Sequence, residues 1–393
     1  MEVMREKICI MTATRAEYGL LKRLIGKLIE KEYDVRIAVT GMHLSSSFGY
    51  TLKEIEEDGY RVDTKIPILS KEDTAGGISK AMAEAIIKFA DYFAASNPKM
   101  LVVLGDRYET LAVCIAAMNE RIPIIHIHGG ETTEGAIDEC IRHAVSKMSY
   151  LHFTSCEEYR RRVIQLGEDP KRVFNVGGLG VENIVHLKKM SKDELFGKLN
   201  LSWNRETPYG VVTFHPVTLE EGTGERQMEE LLLALQEFPQ MNFIITKSNA
   251  DEGGRKMNQL LERYVKNNPH TVLFDSLGMT KYLNAVRDAE MVVGNSSSGI
   301  LEVPSFQIPT VNIGDRQKGR IQASSVINCK ADRQDIVKAM KKALSKEFKE
   351  IAATAVNPYG EGQATDKISE KIDKFMSEGS IYLKKTFYDI GGK

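Results

Sequence analysis

Neither sign of charge is in excess: 53 Lys plus Arg stand against 54 Asp plus Glu, a formal charge of −1 over 393 residues. A chain so balanced offers no broad electropositive surface, which argues against a nucleic-acid partner. The opening MEVMREKICIMTATR holds only a short apolar run, far below membrane-spanning length and without a signal-type cleavage context. A cytoplasmic protein with no membrane partner is expected. The cysteines Cys9, Cys114, Cys140, Cys156 and Cys329 are odd in number and form no CxxC pair, so neither a disulfide framework nor a zinc knuckle is supported. Cys9 and Cys114 read as core; Cys140 keeps a catalytic-thiol reading through its neighbours, without an assured cation to activate it. GxGxxG and GxxxxGK[ST] are both absent, which removes the usual dinucleotide fingerprint and the P-loop. Low-complexity segments and short-period repeats are missing too, and with them the solenoid architectures.

What is present is core material and a regular alternation. Apolar residues make up 42% and charged residues 27%, the proportions of a globular protein, and the length predicts two domains. KICIMTAT, EYGLLKRLIGKLIEK and DVRIAVTG read as a β-α-β unit, and MLVVLGD, RYETLAVCIAAMNER and IPIIHIHGG continue it. After residue 190 the texture turns polar, then YGVVTFHP, MNFIITKS, TVLFDSLG, AEMVVGNS and IPTVNIG restart it. The expected fold is α/β, two doubly wound, Rossmann-like parallel-sheet domains facing a cleft. Expected boundaries are 1–190, 191–365, and a C-terminal helix within 366–393 that docks through Ile368, Ile372, Phe375 and Met376.

In open parallel sheets ligands gather beyond the carboxyl ends of the strands, and the chemically rich segments fall there. GNSSSGILE offers the hydroxyls of Ser296, Ser297 and Ser298, Gly299 for close backbone approach, and helix-end N–H groups: a phosphate cradle. The competing reading is capping, with Ser298 or Gly299 at the cap and Glu302 reaching back. Glu302 also suits a ribose. Arg15, just before a helix, adds two-pronged phosphate recognition. Leu277 and Tyr282 are candidate base contacts, although both residue types are more often core.

LGDRYE leaves Asp106 at a strand end, where its ordinary role is to cap the next helix. The next strand ends in HIHGGETTEGAIDE, so Asp106, Glu131 and Asp138 are expected to share a pocket. His126 and His128 alternate with Ile127 and so point to one side of the strand, the grammar of a divalent metal site. That reading wants further ligands, and His215 from the other domain is the lone histidine on offer; the expectation is no metal, and a core role hydrogen-bonded in place is one alternative for His126. Carboxylates clustered without metal raise one another's pKa and suit proton transfer.

Together TATRAEYGLL, TGMHLS, LGDRYE, HGGETTEGAIDE with IRHAVSKMS, TFHPVT, and GNSSSGILEVPSFQIPTVNIGDRQKGR resemble the UDP-N-acetylglucosamine 2-epimerase family over nearly the full length, in particular its hydrolysing, N-acetylmannosamine-forming branch. The resemblance implies a glycosyltransferase-B type fold with UDP on the second domain, against Arg15, His215, Leu277, Ser297, Ser298 and Glu302, and Tyr282 near the base. It implies Asp106, Glu131 and Asp138 as acid/base carboxylates, His128 and His215 beside them, and Arg142 and His143 orienting the carboxylates or the diphosphate. It implies no cofactor, a UDP-sugar substrate, UDP as product, and a homodimer or dimer of dimers. His128 departs from the pattern, since sialic-acid-type members commonly carry Glu there. UDP-N-acetylglucosamine is the first substrate expected, with a UDP- or GDP-linked N,N'-diacetylbacillosamine as the alternative and a glycosyltransferase as the competing class.

Overall fold

A computed structural model describes residues 6–70, 72, 74–134, 137–216, 223–248, 254–377 and 381–391. The first sheet holds β1 (Lys7–Thr12), β2 (Asp34–Thr40), β3 (Val62–Ile66), β4 (Met100–Leu104), β5 (Ile124–Ile127), β6 (Leu151–Thr154) and β7 (Val173–Asn175). The second holds β8 (Tyr209–Thr213), β9 (Asn242–Thr246), β10 (Thr271–Phe274), β11 (Met291–Gly294), β12 (Thr310–Ile313) and β13 (Val326–Cys329). Their spatial orders are β3-β2-β1-β4-β5-β6-β7 and β10-β9-β8-β11-β12-β13. Every pairing is parallel. These are the two doubly wound α/β sheets that the alternation predicts.

The central strands are apolar on both faces because helices cover both: β4, MLVVL, is buried at every position. On one face Ile8, Ile10, Val102 and Ile125 pack with Leu21, Leu24 and Leu28 of the helix Arg15–Glu30. On the other, Cys9, Leu101, Val103 and Cys114 join Phe89 and Phe93 of the helix Ala75–Ser96, so Cys9 and Cys114 are core residues as read. Direction is reversed twice, between β1 and β4 and between β8 and β11, and at such switch points the loops part and leave a crevice.

The chain forms two compact units. The first comprises residues 1–131, 138–182 and 362–393, the second 132–137 and 183–361. The helix Ala364–Ser377 therefore belongs to the first, with Ile368 and Ile372 fully buried and Phe375 and Met376 packed beside them. Burying two isoleucines at about 1.5–3 kcal/mol each accounts for its return to that body. No described helix is long and apolar enough to cross a membrane.

Candidate active site

In the first unit the site grows from the ends of β1, β4 and β5. Thr14 caps the helix Arg15–Glu30 in a capping box: its hydroxyl accepts from Glu17 N at 3.3 Å, and Glu17 Oε2 accepts from Ala13 N at 2.7 Å and Thr14 N at 3.2 Å. This fixes Arg15 as the first helical residue, paired with Glu54 at 3.4 Å. Both partners are partly exposed, so the pair is weak and Arg15 can be recruited by a stronger anion.

β4 and β5 are neighbours in register, with Leu104 opposite Ile127, so the Asp106 loop and the His128 loop start side by side. Arg142, on the helix Asp138–Met148 and 1% exposed, joins them. Its Nη2 donates to Asp106 Oδ2, and its Nη1 donates to Glu139 Oε2 and to the Glu131 carbonyl, both at 2.8 Å. Burial opposes the guanidinium charge, but Asp106, Glu131 and Glu139 outweigh it and raise the pKa. Asp138 opens the same helix, while His143 Nε2 lies 3.1 Å from Glu139 Oε1. Glu131 is 3% exposed; Ser155 Oγ donates to its Oε1 at 2.9 Å and His128 Nδ1 lies 3.4 Å away.

The paired-histidine reading does not survive. β5 ends at Ile127, and His128 has φ +65°, in the left-handed region, so strand alternation no longer governs its direction. Instead His126 Nε2 lies 2.8 Å from Gly105 O and its Nδ1 3.1 Å from Ser146 Oγ, which makes Nε2 the donor and commits both nitrogens. Burial pushes its pKa down to about 3. His128 Nε2 accepts from Leu179 N at 3.4 Å, which leaves the proton on Nδ1, toward Glu131. Cys140 is exposed on its helix.

In the second unit the site grows from the ends of β8, β10 and β11, and its keystone is Asn295, fully buried. Its side chain accepts from His215 N at 2.7 Å and donates to His215 O at 2.8 Å, while its own carbonyl accepts from Gln317 Nε2 at 2.9 Å and Arg316 Nη1 at 3.1 Å. The approach is so close that a Cβ on Gly294, φ +138°, would sit 1.9 Å from Thr213 O. His215 is buried, and burial with the nearby Arg316 holds its pKa well below the ordinary value, so the imidazole is neutral.

The capping reading of GNSSSG is not realised. The helix Ser298–Leu301 has Ser297 at its cap without a side-chain bond, and Glu302 accepts from the Ser298 hydroxyl, not from a backbone N–H. Ser298 in turn accepts from Tyr282 Oη at 3.0 Å. The N–H groups of Ser296 and Ser297 have no acceptor among the described residues. A Cβ on Gly299 would meet Thr310 Cγ2 at 2.9 Å, so glycine also lets this turn pack on β12. Leu277 is 2% exposed in the core, and the Tyr282 hydroxyl is engaged by Ser298. Burial raises the pKa of Glu302.

Buried titratable groups around these loops make stability depend on pH in opposite senses. Glu17 is raised to about 7 by burial, against the attraction of Arg107 and with the repulsion of Glu109. Its folded pKa lies above the unfolded one, so its stabilisation is complete below about pH 4.5 and is lost as pH rises through 7, up to roughly 3 kcal/mol. His43 and His126 are lowered by burial to about 4 and about 3, so the unfolded chain takes up protons first and stability falls as pH drops below 6.5. Denaturant melts from pH 4 to 9 should therefore show stability rising to about pH 6.5 and nearly level above about pH 7, the two histidines outweighing the opposing loss from Glu17 between about pH 4.5 and 7. Glu17→Gln should steepen that rise; an unchanged profile would remove Glu17 from the account.

Comparison with known proteins adds three kinds of finding. The model of a family described as UDP-N-acetylglucosamine 2-epimerase matches residues 27–373. A GDP/UDP-N,N'-diacetylbacillosamine 2-epimerase (hydrolyzing) of Campylobacter jejuni is 42% identical over 388 residues, 98% of this chain and 100% of the relative. Polysialic acid biosynthesis protein P7 of Escherichia coli is 39% identical over 388 residues, 98% of each chain. A crystal structure of UDP-GlcNAc 2-epimerase from Neisseria meningitidis bound to UDP-GlcNAc has the same fold, with a TM-score of 0.78 at 17% identity over 94% of this chain and 100% of that one.

Proposed function

We propose that this chain, which belongs to the UDP-N-acetylglucosamine 2-epimerase family, is a hydrolysing 2-epimerase of a nucleotide-linked 2-acetamido sugar. The nucleotide diphosphate would be held on the second unit by Ser296, Ser297 and Ser298, with Glu302 accepting from the ribose, Tyr282 and the Leu277 backbone toward the base, and Gly299 holding the loop against β12. His215, neutral, can give one N–H to a phosphate oxygen, and Arg15 a guanidinium. The sugar would be worked on by Asp106, Glu131 and Asp138 of the first unit.

The observation that carries this reading is the Arg142 bridge, which gathers Asp106, Glu139 and the Glu131 backbone around one buried guanidinium at the ends of neighbouring strands. In the first step Glu131 takes the proton from C2, the electron pair forms the C1–C2 double bond, and the C1–O bond breaks as the nucleotide diphosphate leaves with its electrons. N–H donors aimed at the phosphates lower that barrier. In the second step water gives one proton to the Asp106 carboxylate and adds its hydroxyl to C1 of the 2-acetamidoglycal, while C2 regains a proton on the other face from Asp138; exchange with solvent then resets the three carboxyl groups. The C2 hydrogen leaves and returns as a proton, so the reaction needs no redox partner. His128, with its proton on Nδ1, and His143, against Glu139, hold carboxylates in place.

The substrate we favour is a nucleotide-linked N,N'-diacetylbacillosamine, ahead of the UDP-N-acetylglucosamine expected first from the sequence. The 42% identity to the Campylobacter enzyme over the whole chain supports it, as does His128 in place of Glu. UDP-N-acetylglucosamine is the second reading, supported by the family description. Incubating the protein with each UDP-sugar and no acceptor should release UDP and a free sugar, faster from the diacetylated substrate. UDP release that requires an added acceptor would make it a glycosyltransferase, and faster release from UDP-N-acetylglucosamine would reverse the substrate order.

A further inference from the structure

The chain leaves the first unit after Glu131 and re-enters it at Asp138; the residues between them group with the second unit. Two carboxylates proposed for proton transfer are thus the covalent neighbours of a short insert that packs elsewhere. What the insert packs on is specific. Thr132 and Thr133 are each 8% exposed, and Glu134 N donates to Lys318 O at 3.4 Å. Gly319, at φ +84°, lies so near that a Cβ there would meet Thr132 Cγ2 at 2.2 Å and Glu134 Oε1 at 3.0 Å. That turn is tight in itself, with Lys318 N donating to Asp315 O at 2.9 Å and Arg320 N to Gln317 O at 3.2 Å. From the same turn Gln317, 1% exposed, reaches Asn295 O at 2.9 Å, one residue before the serine loop.

We propose that Thr132 and Gly319 form a packing joint that ties the placement of Glu131 to the loop Asn295–Ser298. Contact is continuous from that loop through Asn295, Gln317 and Gly319 to Thr132, and Thr132 is bonded to Glu131. Close-packed contacts of this kind transmit small displacements instead of absorbing them. A nucleotide that orders the serine loop then also fixes the carboxylate that takes the C2 proton. Thr132 is a positioning residue, touching no reacting atom. The joint rests on the reading of Ser296–Ser298 as the phosphate site and of Glu131 as the base.

The test compares Thr132→Ala, which loses the methyl against Gly319, with Thr132→Val, which keeps it and loses only the hydroxyl. For Thr132→Ala, kcat should fall by about 10- to 100-fold while the UDP dissociation constant, by calorimetry, moves by no more than about 2-fold; Thr132→Val should stay within about 3-fold in both. Hydrogen exchange at the amides of residues 131–134 should be slowed by UDP in the wild type and in Thr132→Val, and not in Thr132→Ala. Unchanged kcat and unchanged exchange in Thr132→Ala would overturn the joint. So would a parallel loss of UDP affinity, which would place Thr132 in the nucleotide site. The exchange arm needs no turnover: a wild type that binds UDP but hydrolyses neither sugar nucleotide defeats the proposed activity, and the joint is still judged by exchange.

Discussion

Replacing Arg142 by methionine should abolish measurable turnover and lower stability by about 3 kcal/mol, the range for removing one partner from a buried ion pair. The guanidinium is 1% exposed, and without it Asp106 and Glu139 face each other across an apolar side chain, and the Glu131 carbonyl loses a donor. Both carboxylates are about a quarter exposed, so water recovers part of the loss, which places the effect at the low end of that range. Urea melts check the stability. The double variant Arg142→Met with Asp106→Asn separates the two effects: it should regain stability, because an unpaired negative charge is gone, and should regain no activity. A single Arg142→Met variant that keeps wild-type turnover would remove the bridge from the mechanism.

Glu131→Gln is the complementary change, large in rate and small in stability. The amide oxygen can still accept from Ser155 Oγ and His128 Nδ1, as the carboxylate Oε1 does, so the loop should keep its shape. What disappears is the ability to take a proton. Loss of a positioned acid/base group costs about 10²- to 10⁴-fold in kcat, while UDP affinity, read by calorimetry, should stay unchanged. Turnover within a few-fold of wild type would reassign the proton transfer to Asp138 or Asp106.

How much of this could be read from the sequence depended on how far each residue's role is local. β1, β2, β4, β5, β8, β9, β11 and β12 stand out as apolar runs because central parallel strands are buried on both faces, and the edge strand β10 stands out as well because all four of its residues, TVLF, suit a strand. β3, β7 and β13 (VDTKI, VFN and VINC) went unread: they are edge strands, short and partly polar, with one side free of the sheet. β6 (LHFT) is interior but carries His152, a polarity that makes sense only once Glu168, 16 residues on, is seen against it. At the site, Asp106, Glu131, Asp138 and the serines were visible because strand-end loops hold chemistry. Glu139, Ser155 and Gln317 were not, because their roles are contacts made by folding. Asn295 sat inside a motif read for its hydroxyls, and its amide bridge to the His215 backbone has no periodicity to betray it. The left-handed backbone at His128 was likewise hidden: nothing in HIHGG marks where the strand stops, and the residue before two glycines took the positive φ itself.

The most direct test of the account is to run the reaction in deuterated water and read the released sugar by NMR. Removal and return of the C2 proton predicts a free sugar of inverted C2 configuration carrying one deuterium at C2, from the favoured diacetylated substrate and from UDP-N-acetylglucosamine wherever either is turned over. A released sugar with protium at C2 and unchanged configuration would mean simple cleavage at C1, and would contradict it.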